Sequence, residues 1–155
     1  MDKVPMTPTG YQTLKNELEN LKSVERPQNI RAIEEARAHG DLSENAEFDA
    51  AKDRQAFLEG RISELEYKLS NADIIDPDKL AKDKAVFGCT IVLENIETGD
   101  EVQYQLVGPE ESNIEEGRIS VSSPLGKAML GKEPGEEVVL QAPGGTRRYE
   151  LVDIL

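Results

Sequence analysis

From Phe48 to Ala72 the chain repeats a seam. Phe48, Ala51, Gln55, Leu58, Ile62, Leu65, Leu69 and Ala72 follow one another at alternating spacings of three and four, with only Gln55 polar. Held for more than three heptads, that alternation is the a/d stripe of a coiled coil. Upstream, Tyr11, Leu14, Leu18 and Leu21 keep the same spacing, and Ile30, Ile33 and Ala36 continue a helical stripe. The phase slips between these two groups around Pro27, where a missing backbone N–H should bend or adjust the helix. Thr7-Pro8 supplies an N-cap and a proline at the first helical position. The first helix is predicted from about Pro8 to Ala38, ended by His39-Gly40. The second is predicted from Asp41 or Ser43 to about Asn71. Two such helices joined by a short turn must run antiparallel, and at 1.5 Å per residue each is about 45 Å long. Gly60 interrupts the second at a cost of about 1 kcal/mol relative to alanine, and nothing in the sequence accounts for it.

Asp76-Pro77-Asp78 breaks the helical pattern, and a charged stretch to Lys84 reads as a linker. Beyond it the period changes to that of strands. Val86–Leu93 is β-branched and apolar, and residues 96–100 form a turn before the alternating run Glu101–Val107. Arg118–Val121 is a short strand, Ser123-Pro124 opens a brief helix through Leu130, and residues 136–141 and 146–152 flank a turn at Pro143-Gly144-Gly145. The expected architecture is α+β. A helical hairpin over residues 1–75 and a linker over 76–84 precede an antiparallel sheet with one short helix over 85–155.

Composition narrows the class. There is no tryptophan, aromatics make up 5% of residues, and so any globular core is modest. The single Cys89 has no partner for an internal disulfide and reads as a core residue in a reducing compartment. No apolar run approaches membrane-spanning length, and the start of the chain lacks a secretion pattern. A cytoplasmic protein without membrane contact is expected. Residues 1–75 carry 10 basic and 15 acidic side chains, and residues 76–155 carry 8 and 16. Neither half suits binding of DNA by phosphate neutralisation, whereas an acidic protein favours a basic protein surface.

Candidate chemistry sits at the turn, Gly40-Asp41-Leu42-Ser43-Glu44-Asn45. Asp41 and Glu44 offer hard oxygen donors of the kind Mg²⁺ accepts, but two carboxylates fall short of its octahedral shell. A pair displayed at the end of an arm makes sense if it completes a site on another molecule. The alternative is that Asp-x-x-Glu before a helix is a capping-box variant whose charges suit the helix dipole. Arg37 before the turn and Lys52 after it lie at similar distances from it and could offer phosphate contact; solvated faces or i±4 pairs are the more ordinary explanation of such residues. His39 reads as a helix-end residue and Phe48 as seam packing. No nucleophile triad, phosphate-cradling glycine loop or Cys/His metal cluster is present, so an enzyme acting alone is not expected.

The stretch Ala36-Arg37-Ala38-His39-Gly40-Asp41-Leu42-Ser43-Glu44-Asn45-Ala46-Glu47-Phe48, with Ala51-Lys52, resembles the signature of the bacterial transcript cleavage factors of the Gre family. Pro5-Met6-Thr7 with Gly10, Glu17-Leu18 and Arg61-Ile62 fit the same pattern. Ile119-Ser120-Val121-Ser122-Ser123-Pro124-Leu125-Gly126-Lys127-Ala128-Met129-Leu130-Gly131 is similar to the motif of that family's C-terminal domain. The two long motifs occur in the family's order and span essentially the whole chain.

The resemblance implies an antiparallel coiled coil followed by an FKBP-like domain. That domain would dock on the rim of the secondary channel of bacterial RNA polymerase, and the coiled coil would enter the channel. Asp41 and Glu44 would then hold a second Mg²⁺ jointly with the polymerase, with no stable metal on the free, monomeric protein. The polymerase itself would cleave the RNA 3′ end of a backtracked complex. By the same resemblance Arg37 and Lys52 belong to a basic patch near the RNA 3′ end, and Ser122, Ser123 and Pro124 to the docking surface. Phe48 departs from the family's usual tyrosine, and the basic patch is small. Competing functions are a channel-plugging inhibitor of the same superfamily, a prolyl isomerase and a coiled-coil adaptor. Retention of both tip acids favours cleavage over plugging, and the few aromatics after residue 85 disfavour the isomerase.

Overall fold

The computed structural model describes residues 2–40 and 45–155, which form two compact units. One comprises residues 11–72 with the start of the chain; the other comprises 5–10 and 73–155. No helix of the described residues is long and apolar enough to cross a membrane.

The first unit is the helical hairpin. Helix α1 (Pro8–Asn20) passes through a π-helical turn (Leu21–Glu25) into α2 (Arg26–Ala38), and α3 (Ala46–Ser70) returns. Residues Ala51, Leu58, Ile62 and Leu65 of the predicted seam are buried on α3, as are Leu14 and Leu21 on the first arm. Arg26 N–H donates to the Leu21 carbonyl, five residues back, which is the wider π spacing. Pro27 follows at once and has no N–H to give. The extra residue in that turn shifts the stripe. The expectation of Ile30 in the stripe is therefore corrected: Ile30 is 45% exposed, and its neighbour Asn29 is buried at 7%. The buried amide is satisfied, because Asn29 Nδ2 donates to the Ala51 carbonyl at 2.9 Å. Ion pairs cross between the arms, Arg61 to Glu17 at 2.7 Å and Arg26 to Glu59 at 2.8 Å.

The second unit is a five-stranded sheet in the order β5-β4-β3-β7-β6, built from β3 (Thr90–Asn95), β4 (Glu101–Val107), β5 (Arg118–Ser120), β6 (Glu137–Ala142) and β7 (Gly145–Ile154). Two short strands, β1 (Val4–Met6) and β2 (Ala72–Ile74), pair separately. The expected fully antiparallel sheet needs one correction, since β5 joins β4 in parallel, Leu106 opposite Ile119. Residues Gly108–Gly117, with two 3₁₀ turns, carry the chain back so that both strands run the same way. Helix α4 (Pro124–Met129) contributes Met129 to a core with Ala85, Cys89, Ile91, Leu93, Leu106, Ile119, Val138 and Leu151. Cys89 is thus the core residue its apolar context predicted. The predicted cap at Thr7 also stands. Its hydroxyl accepts from Gly10 N–H at 3.0 Å, while its own N–H donates to Glu111 at 3.2 Å and its hydroxyl donates to the same carboxylate.

Candidate functional site

The last turn of α2 closes in a regular way. His39 N–H donates to the Ala36 carbonyl at 3.2 Å and Gly40 N–H to the Arg37 carbonyl at 3.3 Å. Gly40 then takes φ +109°, a backbone conformation that a side chain disfavours. Asp41 and Glu44 follow and lie outside the described residues.

The outgoing helix starts later than its composition suggested. It begins at Ala46 rather than at Asp41 or Ser43, and its N-cap is Asn45, whose Oδ1 accepts from Phe48 N–H at 3.1 Å. Glu47 and Asp49 occupy the first turn, where negative charge suits the exposed N–H groups. The cap role therefore belongs to Asn45, and Asp41 and Glu44 precede it in the chain.

Both basic candidates are exposed, and neither is in an ion pair among the described residues. The Arg37 guanidinium lies over the Phe48 ring at 5.9 Å, within reach of a cation–π attraction. Phe48 needs no hydroxyl for that contact. Lys52 Nζ donates to Gln55 Oε1 at 2.9 Å, so it points along α3. Several other hairpin cations are held by acids, among them Arg54 by Glu25 at 3.2 Å and Lys22 by Glu66 at 3.6 Å. His39 Nδ1 lies 3.0 Å from Glu47 Oε2, tying the end of α2 to the start of α3.

The docking candidates lie on the other unit. Ser122 and Pro124 are exposed and Ser123 is half-buried. Ser123 caps α4, its Oγ accepting from Gly126 N–H at 3.0 Å and donating to the Ser120 carbonyl at 2.6 Å. Ser122 Oγ meets Ser120 Oγ at 2.7 Å. Ser123 and Pro124 edge an open groove of about 600 Å³ that also presents Tyr104, Arg118, Arg147 and Tyr149. These four did not register in the sequence, because they come from β4, β5 and β7 and converge only when the sheet forms. Arg118 is held by Glu116 at 2.7 Å and by the Glu111 carbonyl at 2.8 Å.

Comparison with known proteins agrees along the whole chain. Residues 4–74 match the family described as "Transcription elongation factor, N-terminal", and residues 80–155 match "Transcription elongation factor, GreA/GreB, C-term". The chain is 55% identical over 155 residues to transcription elongation factor GreA of Neisseria meningitidis serogroup A, covering 99% of this chain and 98% of that protein. It is 52% identical over 153 residues to GreA of Thermodesulfovibrio yellowstonii, covering 99% and 97%. Among solved structures, GreA factor homolog 1 (Gfh1) of Thermus thermophilus is similar at 31% identity and TM-score 0.45, covering 99% of both chains. On this evidence the chain belongs to the GreA/GreB family of transcription elongation factors, as a member of GreA type.

Proposed function

We propose that this protein binds bacterial RNA polymerase, carries its hairpin tip into the secondary channel, and stimulates the polymerase's own cleavage of the RNA 3′ end in backtracked complexes. The observation that carries the reading is at the start of α3. The N-cap of α3 is Asn45, so capping of that helix does not account for the acid pair that the family resemblance places between the two arms.

The donor set fits magnesium in kind but not in number. Two carboxylates supply hard oxygens, and the rest of an octahedral shell must come from the polymerase, the RNA and water. Among the described residues no group of three or more His, Cys, Asp or Glu is placed to hold a metal. When bound there, the ion contributes the Lewis acidity that stabilises charge on the oxygens of phosphoryl transfer. The chain's own contribution is delivery: an arm of paired helices and two carboxylates between them in sequence. Arg37, steadied by Phe48, and Lys52 would offer positive charge to the displaced RNA backbone. Ser122, Ser123 and Pro124, with the adjoining groove, would take the rim of the channel. The protein would act as a monomer.

The test uses stalled, backtracked elongation complexes with 3′-labelled RNA and Mg²⁺. Wild-type protein is expected to release short 3′ fragments, and the Asp41→Ala/Glu44→Ala variant to bind polymerase without releasing them. Binding and slowed elongation without fragment release by the wild type would instead identify a channel-plugging inhibitor.

A further inference from the structure

The side chain of Asn45 does two things at once. Its Oδ1 accepts from Phe48 N–H, which caps α3, and its Nδ2 donates to the Ala36 carbonyl at 2.6 Å, on the other helix. That carbonyl is one of the last four of α2, which have no partner within their own helix in the ordinary i+4 pattern. Gly40 N–H, its i+4 donor, has turned to Arg37, and the Ala36 carbonyl accepts instead from His39 N–H at 3.2 Å. The Asn45 amide therefore caps the start of one arm and adds a second, cross-helix bond to a carbonyl at the end of the other. Of the residues that make good N-caps, only asparagine carries both a donor and an acceptor on an amide of this length. Aspartate and serine cap as well, but aspartate has no hydrogen to donate and the serine hydroxyl is too short to span two helices.

The contact is built, not incidental. Ala36 is 2% exposed, so its carbonyl lies between the helices, and an alanine there leaves room for the amide. A second amide, Asn29, makes the reciprocal bond to the Ala51 carbonyl of α3. The His39–Glu47 contact spans the same end of the hairpin on its exposed side. Asp41 and Glu44 lie in sequence between the two points that Asn45 ties together.

We infer that Asn45 is a positioning residue for the acid pair. It fixes the distance and direction between the chain ends from which the Asp41–Glu44 segment departs, beyond its capping of α3. This role rests on the proposed cleavage activity, and its signature is a catalytic defect without loss of binding or folding. Positional errors of about 1 Å cost rate by as much as about a hundredfold.

The experiment compares wild type with Asn45→Asp and Asn45→Ser. Both variants keep a capping oxygen and lose the bond to Ala36; the serine variant adds no charge near the metal. Cleavage is measured in backtracked complexes as a function of factor concentration, alongside thermal melting and amide hydrogen exchange. The expected result is a fall of about tenfold or more in the cleavage rate at saturating factor for both variants. Half-saturating concentration and melting temperature should stay at the wild-type values. Exchange at His39 and Gly40 should quicken while Phe48 and Asp49 remain protected, a pattern that loss of a cap alone would reverse. Wild-type cleavage rates in both variants would overturn the positioning role while leaving the cleavage activity standing. Absence of stimulation by the wild-type protein would defeat the cleavage activity itself, and this role with it.

Discussion

Three glycines lie within helices of this protein, and replacing two of them with alanine should have opposite effects. Gly60 is exposed in the middle of α3, and a Cβ built there meets nothing within 4 Å. Its backbone is not in the left-handed region, so alanine fits without strain. What remains is the entropy that glycine loses on entering a helix, about 0.5–1 kcal/mol relative to alanine. Gly60→Ala should stabilise the protein by that amount and raise the melting temperature by about 1–4 °C if the chain melts as one unit. The rise should be about 2–8 °C if the hairpin melts alone.

Gly126 is the reverse case. A Cβ there would stand 2.0 Å from the Ser120 carbonyl oxygen and 3.0 Å from Ser123 Oγ, in the middle of the bonds that start α4. Backbone cannot swing aside as a side chain can, so Gly126→Ala should cost about 1–3 kcal/mol, the range for overpacking. Melting followed by far-UV circular dichroism reads both variants. An unchanged or lowered melting temperature for Gly60→Ala would refute the reasoning, since it would mean that glycine does something at position 60 beyond leaving space. The change should also leave cleavage stimulation intact.

Two further effects are open to measurement. Across the solvent face of the sheet, Glu101, Glu94, Glu150 and Glu137 stand directly opposite one another on β4, β3, β7 and β6. Like charges in that register repel by roughly 0.2–1 kcal/mol per pair. Glu150→Lys turns two repulsive neighbours into attractive ones and should stabilise by about 1 kcal/mol at low salt, fading as salt screens the row; a salt-independent or absent gain in thermal melts would contradict it. Ser123→Ala removes the α4 cap and should lower stability by about 1 kcal/mol. Its melting curve must accompany any polymerase-binding measurement on that residue, and a wild-type curve would show the cap to be dispensable.

The hairpin was legible because its seam in α3 follows one rule without interruption, and burial of Ala51, Leu58, Ile62 and Leu65 follows directly. The first arm was legible only up to Leu21. Pro27 announced a slip in phase, but a π turn has no composition of its own, so the sequence could not say that one extra residue would turn Ile30 outward and Asn29 inward. The same limit applied to β5. A three-residue strand shows no alternation that distinguishes parallel from antiparallel pairing, and its direction is set by the ten residues that return the chain. β1 and β2 are each three residues long and left no pattern at all. At the tip, the motif located the acids, but the capping residue was displaced from Asp41 or Ser43 to Asn45. That displacement was not visible because Asp, Ser and Asn are all good caps and all occur there.

The two asparagines that bond across between the arms, Asn29 and Asn45, explain why the arm is not lined with leucine throughout. An unbroken apolar seam leaves antiparallel helices free to pair one heptad out of step, and apolar side chains resist that slip weakly because they remain apolar contacts after it. A slip of seven residues moves one arm by about 10 Å relative to the other. For a protein whose proposed task is to deliver two carboxylates to another molecule's reaction centre, such a slip is a complete loss of function with little loss of helix. A buried amide changes the balance. Out of register, Asn29 Nδ2 would lose the Ala51 carbonyl, leaving a buried amide unsatisfied at about 1–3 kcal/mol, and the half-buried Asn45 Nδ2 would lose its bond to the Ala36 carbonyl. Asn29→Leu would add apolar burial at the seam, yet it would remove one of two penalties that keep the tip in place. Both amides lie in the distal half of the hairpin, Asn45 beside the turn, which puts the restraint where an error in register matters most.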